Sequence, residues 1–207
     1  MQALQNPVLQ QTSAANRELE VMARYAAALA AMAAAIEVDP DGPDTGMVQP
    51  LPTSTMAFPK GVPWVPEHRL ADWLRGLMSN GPDEVHCGLV RRRSDTLAAS
   101  MTPSSRGEFD RYRYGVFLVL GEHEGPQQTW EGPLRQLLDL LNRCRNVVHA
   151  TTESLLNEGV LAEGFGHPSL IWEGAIGWPA RTPMRGLIGE GIGFSVGAWV
   201  NGANPLR

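Results

Sequence analysis

Seven prolines fall between Asp39 and Pro66. Each fixes φ and removes a backbone donor, so neither a helix interior nor a central strand can run through this stretch. It divides the chain into an N-terminal helix (1–38), an extended arm (39–66) and a core domain (67–207). The arm is too apolar for a solvated linker, carrying Met47, Val48, Leu51, Met56, Phe58, Val62, Trp64 and Val65. Long irregular segments beside compact domains are usually functional or disordered. The apolar content favours an ordered arm laid on a neighbouring subunit, with Phe58 and Trp64 among its contacts.

Residues 17–36 are rich in alanine and other strong helix formers. Met22, Tyr25, Leu29, Met32 and Ile36 are spaced 3, 4, 3 and 4, which draws one narrow apolar seam. That seam can pack in the core of its own domain or between subunits, because small residues permit close helix approach. The second use makes Met22, Tyr25, Leu29 and Met32 candidate subunit contacts. The stretch Tyr25 to Ile36 is short of the ~20 apolar residues a membrane span needs. The first residues, Met1 to Pro7, lack the basic and apolar regions of an export signal, so a soluble, unexported protein is expected.

Beyond the arm the periods alternate. Leu70, Trp73, Leu74, Leu77 and Met78 share one face of a helix over 67–79, entered at Pro66 and stopped by Asn80-Gly81. Val85, Cys87 and Leu89 alternate as a strand. A second strand, Tyr112 to Glu122, is apolar nearly throughout, as expected of a central strand covered on both faces. Between them lies a β-hairpin with a long polar loop over 91–111. Gly132-Pro133 opens a third helix to about His149, followed by a polar segment and two more strands, Leu170–Trp178 and Gly191–Val200. On the last strand Gly189, Gly191, Gly193 and Gly197 leave one side thin, which indicates close approach of another backbone or a bulge. The pattern predicts an α+β fold: a mostly antiparallel sheet with helices packed on one face, plus the N-terminal helix and the extended proline-rich arm.

Several motifs imitate catalytic ones. Gly193-Phe194-Ser195-Val196-Gly197 spells the nucleophile elbow of a hydrolase, but alternation continues through the serine and no His, Asp or Glu follows it. The glycines from 186 to 193 lead into a strand, where a dinucleotide loop must open a helix. Glu122-His123-Glu124 places metal-ligating types on neighbouring residues that point apart, and His86 beside Cys87 fails the same way. No metal or cofactor site is expected. The two cysteines, Cys87 and Cys144, are too few for a disulfide framework and read as buried reduced thiols.

Charge supplies the better candidate. The chain carries a net charge of -5, which argues against a protein that grips nucleic acid along its outside. Yet Arg91, Arg92, Arg93, Arg106, Arg111 and Arg113 stand against only Asp95, Glu108 and Asp110 between residues 91 and 113. A basic hairpin tip of this kind is either a solvated loop or a docking element for an acidic surface or a phosphate. No aromatic residues interleave the arginine run as in single-strand binders, so protein docking is preferred.

From Tyr112 onward, the order is a strand (RYRYGVFLVLGEHE), a Gly-Pro-led helix (GPLRQLLDLLNRCRNVV), a short strand around Leu170–Trp178 and a Gly-rich final strand (IGEGIGFSVGAWV). This resembles the tail terminator and related neck proteins of long-tailed bacteriophages, over the C-terminal half and in pattern. The resemblance implies a non-enzymatic virion protein, made in the host cytoplasm, whose homohexameric ring caps the tail tube. It would end tube polymerisation and meet the head–tail connector while DNA passes through the lumen without specific binding. Its partners would be further copies of itself, the tail tube protein and connector proteins, with no membrane and no cofactor. The arginine-bearing tip would then make inter-ring contacts. A small cytosolic enzyme using His86, Glu122, His123 and His149, or a regulatory module using the basic loop, are the alternatives.

Overall fold

One strand, seventeen residues long, organises everything else. The computed structural model describes residues 7–38, 62–78, 85–93, 95–102, 105–121, 131–163, 168–179 and 187–199. Its elements are α1 (Pro7–Val38), β1 (Trp64–Pro66), α2 (Leu70–Met78), β2 (Val85–Arg91), β3 (Asp95–Thr102), β4 (Ser105–Gly121), α3 (Glu131–Asn157), β5 (Leu170–Ala175) and β6 (Leu187–Trp199), with a 3-10 turn at Glu67–Arg69 before α2. The strands form one sheet in the order β1-β2-β4-β6-β5, and β3 also pairs with β4. All pairings are antiparallel except β1 with β2. The α+β class and the mostly antiparallel sheet follow as the residue pattern predicts.

Alternation along β4 sends residues to two different cores. Tyr112, Tyr114, Val116, Leu118 and Leu120 point to a front face, where they meet Val85, Cys87 and Leu89 of β2 and Ile192, Phe194, Val196 and Ala198 of β6. The helices α1 and α3 cover this face with Val21, Met22, Tyr25 and Leu29 from one and Leu137, Leu140, Cys144, Val148 and Leu155 from the other. Phe117 and Val119 point to the back, against Leu70 and Leu74 of α2 and Val90 of β2. The helices are thus divided, two in front and the short α2 behind, which corrects the expectation that all helices pack on one face. This is the two-sided coverage that the unbroken apolar run of β4 calls for.

Three further differences have local causes. The helix α3 runs on to Asn157, through a segment that looks polar, because Leu155 continues its buried stripe into the front core; the Thr151 and Thr152 hydroxyls donate to the Val147 and Val148 carbonyls at 2.8 and 2.7 Å. The end of the proline-rich segment is no free arm: Trp64–Pro66 adds in parallel to β2, and Leu89 N–H donates to the Pro63 carbonyl at 3.0 Å. The rest of that arm, with Phe58, lies outside the described residues. The thin side of β6 is filled by side chains, and Phe109 lies directly over Gly197, where a Cβ would stand 1.9 Å from its ring.

Met22, Tyr25 and Leu29 are buried in the chain's own front core, so they are not available as subunit contacts. Met32 packs against the same core and is half-buried. The helix therefore belongs to the domain rather than preceding it. Tyr25 explains the commitment: its hydroxyl bonds to Thr152 Oγ1 at 2.7 Å and its ring meets Phe194 edge-on at 5.2 Å. Among the described residues, no helix is long and apolar enough to cross a membrane.

Candidate functional site

The 91–113 stretch is the place to look, and it is built differently from a loop. After Arg91 the chain bulges once and continues as β3, so that β2 and β3 line the same edge of β4 one after the other. Arg91 stands opposite Tyr114 and Asp95 opposite Arg111, which sets four steps of one chain against three of the other. The ribbon turns between Thr102 and Ser105. Its root is fixed where Phe109 pairs with Trp199, the two rings meeting edge-on at 5.2 Å. Residues 98–102 and 105–108 lie past that last described pair, as two strands that, among the described residues, pair only with each other.

Half of the arginines predicted for a protruding tip are held by carboxylates of the chain itself. Arg91 points to the front face and grips Glu18 of α1 with Nε and Nη2, both at 2.9 Å. The hydrogen bond with Glu18 raises its pKa further, so the guanidinium stays charged. Arg92 points to the back and reaches Glu173 of β5 at 2.8 Å and Glu67 at 3.2 Å. Arg113 pairs with the same Glu173 at 3.1 Å. The Arg92 guanidinium passes close over Gly193, where a Cβ would stand 2.8 Å from Nη1. These three arginines are clamps that tie α1, the 3-10 turn and β5 to the sheet, which corrects their assignment as inter-ring contacts.

The other three differ. Arg93 is exposed at the bulge. Arg111 is half-buried at the ribbon root, opposite Asp95 and Gly197. Arg106 lies on the projecting part of the ribbon, opposite Ser100. The clamps could not be foreseen, because Glu18, Glu67 and Glu173 lie 73, 25 and 81 residues from their arginines.

What remains open on the surface is mostly backbone. Among the described residues, β3 pairs with β4 alone and β5 with β6 alone, which leaves each with an unpaired outer edge. The β5 edge is interrupted by a bulge between Trp172 and Gly174, with Gly174 at φ 88. The β3 edge has one charge, Asp95, and neither lysine nor proline. Edge strands that must stay solitary normally carry such guards. Trp64 is 51% exposed on β1, the one residue of the predicted subunit-contact set that is exposed among the described residues. Leu134 and Leu138 form an exposed pair one turn apart on α3.

Of the enzyme constellation, the two described members lie on opposite faces of the sheet. His86 points to the back face from β2, between Val85 and Cys87 of the front core, whereas His149 is on α3 at the front and accepts a hydrogen bond from Trp172 Nε1 at 3.2 Å. Glu122, His123 and Glu124 lie outside the described residues. Ser195 is mid-strand, buried and opposite Arg113, as the alternation requires. Among the described residues, no three of His, Cys, Asp and Glu are placed to hold a metal ion. Comparison with family models, with curated proteins and with solved structures returns no match.

Proposed function

We propose that this chain is a structural virion protein that forms a ring at the head-proximal end of a phage tail tube, ends tube polymerisation and joins the tail to the head connector. The observation that carries the reading is the ribbon 98–102/105–108 leaving the sheet with an unguarded outer edge. A two-stranded ribbon alone is marginal in water, and an open edge of this kind invites another strand. Both are stabilised by a second protein surface. The ribbon tip supplies the axial contact with the next ring, with Arg106 the arginine on the projecting part.

The lateral contacts fall to sheet edges rather than to the α1 seam. β3 runs antiparallel to β4, β4 to β6 and β6 to β5, so β3 and β5 point in opposite directions. If the sheet of one copy continues into the next with the same sense, β3 meets the neighbour's β5 as an antiparallel pair, the type used through most of this sheet. Such a head-to-tail contact is heterologous and closes into a ring when the rotation per copy divides the circle; six copies is the number the resemblance implies. The order β4, α3, β5, β6 supports the resemblance from which the tail assignment comes. A net charge of -5 suits a lumen through which DNA slides without being held.

Negative-stain imaging and mass photometry of the full chain, alone and with tail tube protein encoded beside it, test the reading. Six-fold rings that cap tubes are expected. A stable monomer that stays monomeric beside tubes would sink it.

A further inference from the structure

β5 is a weakly held strand. None of its six residues is buried, it pairs with β6 alone among the described residues, and a bulge interrupts it between Trp172 and Gly174. Two polar anchors fasten it, one on each face. On the back, Glu173 takes Arg92 and Arg113. On the front, the Trp172 ring lies 5.8 Å from that of Phe194 and meets α3. There His149 Nε2 accepts from Trp172 Nε1 at 3.2 Å, the two rings meet edge-on at 5.5 Å, and the Arg145 guanidinium stands 5.7 Å from the Trp172 ring centroid.

An imidazole accepts at Nε2 only while it is neutral with its proton on Nδ1; once protonated, both ring nitrogens donate. Two N–H groups would then face each other across a distance that suits a donor and an acceptor, and the front anchor of β5 is lost.

We infer that His149 regulates the β5 edge: as a neutral imidazole it latches Trp172 and seats β5 against α3, and its protonation unseats the strand. Histidine is the side chain whose charge ordinarily changes between about pH 5 and 8, so the latch holds in neutral solution and is lost as pH falls. On its own helix, Arg145 and Glu153 stand one turn to either side of His149. From α1, Arg24 is bound to Glu158, more than two turns beyond His149. β5 brings Glu173, which is turned to the back by its two arginines, and β6 brings the uncharged Phe194, with Glu190 four positions away along the strand. Arg145 and Glu153 are exposed and opposite in sign, so the hydrogen bond sets the direction. That this strand edge carries the lateral contact, and hence that rings open in mild acid, rests on the reading proposed above; the latch within one chain does not.

The test uses the full chain labelled with nitrogen-15. The indole N–H signal of Trp172, assigned through Trp172→Phe, should move in one step between pH 8 and pH 5 and stay in place in His149→Gln, whose amide oxygen accepts without titrating. At pH 8, amide hydrogen exchange over 170–175 should be about fivefold faster in His149→Lys than in His149→Gln, the size of one ordinary net hydrogen bond. An indole signal indifferent to pH, or one that moves as far in His149→Gln, would overturn the inference, and so would equal exchange in the two variants. Imaged rings should be present at pH 8, lost at pH 5, and kept at pH 5 in His149→Gln. No rings at pH 8 would count against the ring reading alone, with the indole and exchange results deciding the latch; rings that open at pH 5 equally in His149→Gln would refute the regulation.

Discussion

Raising the pH isolates the front core, because the chain has three tyrosines and all of them are buried there. Burial is the largest cause in each case: it pushes Tyr112 up to about 12, and Tyr25 and Tyr114 higher still. In the unfolded chain a tyrosine ionises near ~10. Above that, the unfolded chain has lost protons that the native one keeps, so stability is intact below about pH 10 and falls as pH rises. Counting only the two most deeply shielded hydroxyls, Tyr25 and Tyr114, the slope is about 3 kcal/mol per pH unit, which removes about 3 kcal/mol by pH 11 and about 5 by pH 12. A domain near the lower end of the usual range of about 5–15 kcal/mol would then unfold by about pH 12. Absorbance at 295 nm reads tyrosinate and far-UV circular dichroism reads the fold, in one titration. The two signals should rise and fall together, with no tyrosine ionising while the helices stand. Tyrosinate appearing smoothly around pH 10 with native circular dichroism would refute the burial of these hydroxyls. Tyr25→Phe serves as the internal control, since it removes half of that slope and costs about 1 kcal/mol at neutral pH through the lost bond to Thr152.

Gly197→Ala drives a methyl group into the Phe109 ring and should cost about 1–3 kcal/mol, outweighing the gain of about 0.4–1 kcal/mol from a stiffer unfolded chain. In a Phe109→Ala background most of that cost should vanish; equal costs in both backgrounds, by urea unfolding, would exclude the steric account. Arg91→Gln should lose about 1 kcal/mol by loosening α1, whereas Arg93→Ser should stay within about 0.5 kcal/mol, and the reverse ranking would show that the clamp has been misassigned. Replacing Ala99 by lysine on the β3 edge should leave the monomer folded and abolish rings. Rings that persist would remove β3 from the lateral contact.

The fold was legible wherever one period dominated a long segment. The α1 seam, the α2 face, the apolar run of β4 and the alternation of β6 each specify an element and its buried side. Short or composite features were not legible. A three-residue β1 lies at the end of a proline-rich stretch, and β3 mixes Thr, Ala and Ser with no strong alternation, so it passes for loop. The candidate site was misread for a related reason. Six arginines close in sequence look like a patch, but alternation sends Arg91 to the front and Arg92 and Arg113 to the back, where carboxylates from remote segments meet them. Charge counted along a strand says little until each face is counted separately. The ribbon itself, with Arg106, was foreseen as a protruding hairpin, and the structure narrows it to its outer third.

β4 has a mechanical consequence. At about 3.4 Å per residue, its seventeen residues form a rod of about 55–60 Å from the ribbon tip to the far end of the sheet. From Phe109 to Gly121 it is hydrogen-bonded to β6, and for most of that length also to β2 or β3 on its other side. A pull on the tip along this axis loads both ladders in shear, so many hydrogen bonds must fail together. A sideways pull would peel them one at a time. A molecule built this way is stiff and strong along one direction, and whatever grips the tip can transmit force to the whole domain without first unravelling it.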